Sequence, residues 1–461
     1  MRRVDLAVIG AGPAGMAAAV EARTHGLSVL VVDEQPTPGG QIWRGIEAAN
    51  AARLQVLGDD YAAGLAAVRA FRDSGADYLP GALAWQIDPE GLIDVSVGGR
   101  SRRAAAGAVV VATGAVERPT PLPGWTLPGV MTVGALQILL KTSGLADDEA
   151  VLVGSGPLIW LAASQLCEAG RPPRAIVETV PCGRYLGAAR HASSLFGASD
   201  YVSKGFKMMR RVRAAGVPVY RGASDVRIEG RERVSHVAFR TGRREHRLET
   251  ACVALHQGVV PNPQVARLMR CAHEWSPAQR CFLPRRDRFM ETSVPNFFLA
   301  GDGGGIGGAK AAALEGRIAG LRVAEKAGRA TGSGYGEIER ALKRDLAVRP
   351  LLEHLYAPSP EILQPADATV VCRCEEVTAG DIRHAVSLGA PGPNQLKSFL
   401  RCGMGPCQGR VCGLPVVEIV AAGRGVAHDA VGYYGIRPPL KPLTLGEIAA
   451  AADDGEELAA E

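Results

Sequence analysis

Long apolar runs are missing from this 461-residue chain: stretches such as Leu6 to Ile9 and Ala108 to Ala112 are strand-sized, against the ~18 residues of a bilayer-crossing helix. No membrane span is expected. Concentrated basic runs are missing too. The 52 lysines and arginines are spread among 47 acidic residues for a formal charge of +5, which excludes nucleic acid as an expected partner. Between Met1-Arg2-Arg3 and the first strand there is no room for a leader with an apolar core and cleavage site, so a cytoplasmic location is expected. Cys167, Cys182, Cys252, Cys271 and Cys281 each stand without a nearby partner. That excludes a redox cysteine pair there and reads these five as buried small hydrophobes. Nor does any His/Asp, Ser/His or paired-carboxylate constellation mark an independent substrate site.

What is present is a globular composition, 47% hydrophobic and 21% charged, on a chain long enough for two to four domains. From Val4 to Asp33 the pattern is strand, glycine turn, helix, strand. Gly10, Gly12 and Gly15 keep the full GxGxxG spacing around Pro13 and Ala14. Gly10 permits the turn, Gly12 lets backbone approach a pyrophosphate, and Gly15 lets helix meet strand. The helix N-terminus offers free N–H groups to phosphate. Asp33, eighteen residues past Gly15, is placed to accept ribose hydroxyls, with Glu34 beside it. A glycine fingerprint alone does not separate FAD from NAD. The distant pieces, Gly40 and Gln41 in Pro38-Gly39-Gly40-Gln41, Thr113-Gly114, and Gly301-Asp302 before a helix starting near Gly308, converge on FAD.

A second such unit begins at Val151. Gly154 and Gly156 repeat the first two glycines and Glu178 stands where a ribose-binding acid belongs, but the third position is Ile159. A branched side chain there would hold helix and strand apart, so NAD(P) binding, a preference for another nucleotide, and a structural or adenylate-only role all stay open.

Ten cysteines in a reducing compartment suggest metal rather than disulfides, and five fall between Cys372 and Cys412. Four thiolates complete a 2Fe-2S cluster. Cys372 and Cys374 could chelate one edge, and Cys407 with Cys412 the other. Cys402 is the rival ligand, since Cys402 and Cys407 have the same spacing as Cys407 and Cys412. Zinc is the alternative metal for four cysteines.

The glycine loop, Thr113-Gly114 and Ala300-Gly301-Asp302 resemble flavoproteins with two dinucleotide-binding domains, such as thioredoxin reductases, over about Met1 to Ala324. That resemblance implies Asp302 on the ribityl chain and a helix from Gly308 aimed at the flavin pyrimidine. The GMGPCQG run resembles the ferredoxin-like module fused to bacterial glycerol-3-phosphate dehydrogenases, which implies Cys372, Cys374, Cys407 and Cys412 as ligands. Almost the full length, including His256-Gln257-Gly258-Val259-Val260-Pro261-Asn262 and Arg437-Pro438-Pro439, resembles the alpha subunits of bacterial heteromeric amino-acid dehydrogenases. That group includes D-hydroxyproline dehydrogenase, opine oxidases, hydrogen cyanide synthase and sarcosine oxidase.

The resemblance implies an α/β fold, a Rossmann-like FAD domain with an inserted NAD-like domain plus a small C-terminal iron-sulfur module. Expected spans are 1–146 and 256–325 for the FAD domain, 147–255 for the insert, 326–365 for a helical linker, 366–425 for the 2Fe-2S module and 426–461 for an extended tail. The tail either wraps its own domain or docks on a partner. An FAD-containing beta subunit would oxidise a secondary amine or imino acid, with room for a small third subunit, an interfacial FMN and a membrane-associated electron acceptor. The competing readings are a stand-alone NAD(P)H oxidoreductase and a structural subunit with vestigial cofactor sites.

Overall fold

The structure, a computed structural model, describes residues 2–195, 199–332 and 334–451. The glycine fingerprint sits in its first sheet, built from β1 (Arg2–Ile9), β2 (Val29–Asp33), β3 (Asp77–Pro80), β4 (Leu83–Ile87), β5 (Leu92–Val97) and β6 (Arg100–Val111). Their order is β3-β2-β1-β6-β5-β4, and the strand Phe297–Leu299 adds to β6. β1 runs parallel to β2 and β6, while β4, β5 and β6 form an antiparallel meander. Leu6, Ala7 and Val8 are fully buried, as a central parallel strand covered on both faces requires.

One face of this sheet carries the helices Pro13–Thr24 and Ala309–Lys326. They touch backbone to backbone. A Cβ at Gly316 would lie 2.1 Å from the Ala14 carbonyl oxygen, and one at Gly320 2.7 Å from that of Ala18. Small residues at facing positions thus bring the C-terminal part of the flavoprotein-type half onto its first helix.

A second, all-parallel sheet orders the strands Val219–Arg221, Ala175–Glu178, Ala150–Ser155, Cys252–Gln257 and Val130–Thr132. An antiparallel three-stranded sheet, Ala223–Gly230, Val234–Thr241 and Arg244–Glu249, follows. Val130–Thr132, within the span expected for the first part of the FAD domain, pairs here because its partner Cys252–Gln257 supplies a buried edge. The segments joining the two sheets, Ala115–Glu117 and Val259–Pro261, pair antiparallel with each other.

Beyond residue 330 the chain forms the helices Tyr335–Leu346, Arg349–Leu355 and Pro360–Leu363. A small hairpin, Val370–Cys372 with Val377–Thr378, and the helices Ala379–Ser387, Pro393–Leu400 and Gly413–Arg424 come next. This cysteine-bearing part shares one core with Val260, Cys281 and Phe282. The tail lies on its own chain: Leu440 N–H donates to the Trp85 carbonyl at 2.8 Å, and Lys441 pairs with Glu34. Among the described residues no helix is long and apolar enough to cross a membrane.

Candidate functional site

At the C-terminal ends of β1 and β2 the fingerprint glycines make the contacts their spacing implies. Gly10 has φ 102°, and a Cβ there would stand 2.6 Å from the Ala112 carbonyl oxygen. A Cβ on Gly15 would lie 1.8 Å from the Gly10 carbonyl oxygen. Pro13 opens the helix at a position where no N–H is needed. Gly40 is so close to Gly12 that a Cβ on it would come within 2.9 Å of the Gly12 Cα. The Pro38 to Gln41 turn therefore closes over the glycine loop.

Asp33 is buried and ties this loop down, accepting the Ala11 N–H at 3.1 Å and the Gln35 N–H at 3.0 Å. Burial pushes its carboxyl above the ordinary range. Each oxygen keeps a second lone pair for a ribose hydroxyl. Glu34 is exposed and turned to Lys441. Across the cleft, Asp302 accepts the N–H groups of Gly307 and Gly308, each at 2.9 Å, at the start of the helix Ala309–Lys326. Among the described residues the buried Thr113 hydroxyl has no hydrogen-bond partner. A Cβ at Gly114 or Gly308 would meet nothing within 4 Å. Open space lined by a free hydroxyl, free helix N–H groups and an acid fits a dinucleotide.

Two supports of this cleft escaped the sequence reading. Arg286 and Glu315 form a two-point ion pair at 2.6 and 2.9 Å, and Glu315 also accepts the Gly301 N–H at 2.8 Å. Lys141 is 4% exposed and donates to the Gln41 carbonyl at 3.0 Å and to Gln137 Oε1 at 2.9 Å. Burial, with Arg44 nearby, brings its amine down to about 7. Neither pair carries a local motif.

In the second unit Gly154 and Gly156 also take positive φ, and the His256 ring lies 3.1 Å from where a Gly156 Cβ would be. His256 Nδ1 is 2.6 Å from Glu117 Oε1. Ile159 is buried against Leu136, Leu152 and Ile176. Glu178, 3% exposed, already accepts the Tyr185 hydroxyl at 2.8 Å. The helical linker leans on this edge. Ser359 N–H donates to Gln257 Oε1 at 3.2 Å, and Gln257 in turn holds Thr179 at 3.0 Å. Arg184 reaches the Ala357 and Pro358 carbonyls.

The five clustered cysteines fall into a buried trio and a more exposed pair. Cys372, Cys402 and Cys412 are buried, with their sulfurs within 4.8 Å of one another. Exposed Cys374 interacts with Cys407. The thiols thus meet across the two segments, not as the Cys372/Cys374 and Cys407/Cys412 edges suggested by sequence proximity. The reason is the turn after Val370–Cys372, which ends at Glu376 with φ 53° and separates Cys372 from Cys374. Hydrogen bonds from Cys402 and Cys412 hold the Cys372 thiol far below its ordinary range, and the same interaction pushes Cys402 up to about 12. Cys412 caps the N-terminus of the helix Gly413–Arg424, and its hydrogen bonds with Cys372 and Cys402, together with burial, push its thiol well above the ordinary range. Of the five isolated cysteines, Cys252, Cys271 and Cys281 are buried as expected, Cys167 is half-buried, and Cys182 is exposed because it opens a short surface helix. A dense set of cysteine sulfurs fits a thiophilic metal centre, iron-sulfur or zinc.

Two dinucleotide-type folds in one chain, the first with a complete glycine fingerprint, define an FAD-binding oxidoreductase of the flavoprotein class. The chain belongs to the pyridine nucleotide-disulphide oxidoreductase family, which matches residues 4–328, while residues 367–452 match the sarcosine oxidase A3 domain. Within that family it falls in the group of opine oxidase A subunits and hydrogen cyanide synthase HcnB. It is 46% identical to the opine oxidase A subunit of Rhizobium meliloti, over 96% of this chain and 98% of that one. To hydrogen cyanide synthase subunit HcnB of Pseudomonas aeruginosa it is 30% identical, over 95% of this chain and 96% of the other. The L-proline dehydrogenase structure from P. horikoshii shares the fold, with a TM-score of 0.71 and 19% identity over 97% of this chain and 80% of that one.

Proposed function

We propose that this chain is the electron-transferring subunit of a heteromeric dehydrogenase or oxidase acting on a secondary amine or imino acid of the opine, proline or D-hydroxyproline type. Substrate oxidation belongs to a separate FAD-containing beta subunit. In this reading Gly10, Gly12, Pro13, Ala14 and Gly15, with Gly40 and Gln41 over them, bind the FAD pyrophosphate, Asp33 and Glu34 take the adenosine ribose, and Thr113, Gly114, Gly301, Asp302 and Gly308 line the flavin end. Cys372, Cys374, Cys407 and Cys412 hold a 2Fe-2S cluster. Bound there, the two groups would supply exchange between two-electron and one-electron carriers.

The observation that carries the reading is the buried trio Cys372, Cys402 and Cys412, with Cys374 and Cys407 interacting in the same module, in a chain whose first half has a flavin-type cleft. Cys412 is preferred over Cys402 on the resemblance of the GMGPCQG run to the ferredoxin-like module, whose last cysteine pair has four intervening residues as Cys407 and Cys412 do. Cys412→Ser is expected to lose iron and Cys402→Ser to retain it; the reverse would move the assignment. The reading as a whole is tested by expressing the chain with its genomic neighbours and recording the visible spectrum. Bleaching by an opine, proline or hydroxyproline only in the presence of a partner supports it, whereas bleaching of the isolated chain by NADH overturns it.

A further inference from the structure

Tyr434 belongs to the tail, outside the cysteine-bearing segments, yet its hydroxyl points into them. The side chain is 2% exposed. Its oxygen donates to Cys402 Sγ at 3.4 Å and stands 3.7 Å from Cys412 Sγ. These two sulfurs are its hydrogen-bond partners among the described residues.

The ring is fixed by contacts that make no use of that oxygen. Gly403 and Gly409, at φ 83° and 76°, leave room for it: a Cβ on either would come within 2.5 or 2.6 Å of the ring. The Lys397 ammonium lies 5.0 Å from the ring centroid. Asn394 grips the backbone on both sides, donating to the Tyr433 carbonyl at 3.2 Å and accepting the Gly435 N–H at 2.9 Å. Packing alone would be served equally by phenylalanine, so the buried hydroxyl needs its own account.

We infer that Tyr434 is a positioning residue for the cysteine centre, donating its phenolic proton to the Cys412 sulfur and thereby raising the reduction potential of the metal cluster. The inference rests on the ligand set proposed above. A metal-bound thiolate is a charged acceptor and outcompetes a neutral thiol for one proton. A small rotation of the O–H bond turns that proton from Cys402 to Cys412. One-electron reduction places additional negative charge on the ligand sulfurs, so a fixed donor stabilises the reduced form more than the oxidised one.

The test uses the full chain co-expressed with its partner, and compares wild type with Tyr434→Phe and Tyr433→Phe. Tyr433 is the adjacent buried tyrosine, and its hydroxyl makes no hydrogen bond to a cysteine among the described residues. Iron and sulfide content are measured first, then the midpoint potential by EPR-monitored redox titration. Tyr434→Phe is expected to keep its iron and shift to a more negative potential, with Tyr433→Phe unchanged. An unshifted potential in Tyr434→Phe, or an equal shift in both variants, overturns the inference. So does loss of iron from Tyr434→Phe with the fold intact by circular dichroism, because the hydroxyl would then build the site instead of tuning it. Wild type purified without iron would instead defeat the proposed function itself, so the two failures are distinguishable.

Discussion

At Gly15 a single methyl group decides whether the helix Pro13–Thr24 can meet its strand, since the added Cβ would sit 1.8 Å from a backbone oxygen that cannot rotate away. Gly15→Ala should destabilise the chain by on the order of 3 kcal/mol through overpacking and release flavin; urea unfolding and flavin content after gel filtration check both. Lys141 gives a different signature. Its amine titrates at about 7 in the fold, against 10.5 as the ordinary value, with burial the main cause. Between those pH values the unfolded chain binds more protons than the folded one, so stability rises with pH across that window and levels off on either side. Lys141→Met should flatten that rise, which amounts to on the order of 5 kcal/mol; denaturation midpoints at pH 6, 8 and 10 read it directly. If the variant keeps the wild-type slope, the titrating group lies elsewhere.

Among the elements, the second dinucleotide unit separates what sequence could and could not convey. Its strand, glycine turn and helix were legible because Val151 to Ile159 encode them within a few residues, as Val4 to Gly15 do for the first unit. The state of its ligand edge was not legible. Glu178 is engaged by Tyr185, and the Ser155 and Thr179 turns are tied through Gln257 to Ser359, more than a hundred residues beyond the glycine turn. Such contacts depend on how the linker folds back, which no local pattern encodes. The cysteine module behaves alike: its ligand types and spacing stand in the sequence, but the pairing of Cys374 with Cys407 and the approach of Tyr434 follow from a turn and a returning tail. With its acid and its glycine turn already held by the chain itself, the second unit should bind NADH poorly. Equilibrium dialysis of the co-expressed complex is expected to show no stoichiometric NADH, and anaerobic NADH should leave the flavin absorbance unbleached. A one-to-one NADH complex would overturn this.

For the whole molecule, the question is what holds the cysteine-bearing part at a fixed distance from the flavin-type cleft. Arg280 meets Glu418 in a two-point contact at 3.0 and 2.6 Å, and the Glu418 side chain, 4% exposed, also faces His428 at 2.9 Å. His428 stacks on Trp275 with ring centroids 4.0 Å apart, and Trp125 Nε1 donates to the Val370 carbonyl at 2.7 Å. The join is therefore an ion pair with its acid buried and its arginine half-buried, bordered by aromatic packing. Removing Arg280 alone leaves the buried Glu418 carboxylate with His428 beside it but without its two-point partner, a loss on the order of 3 kcal/mol. The loss falls on the join, while the cleft built on β1 and β2 keeps its own core. Arg280→Met should thus release iron at a lower temperature than it releases flavin, whereas Arg280→Met combined with Glu418→Gln should recover much of the deficit because no unpaired charge remains buried. Thermal melts followed separately by flavin fluorescence and by iron absorbance distinguish the two. Simultaneous loss of both signals in the single variant would mean that the two halves unfold as one unit, and the fixed spacing would then be a property of a shared core rather than of this contact.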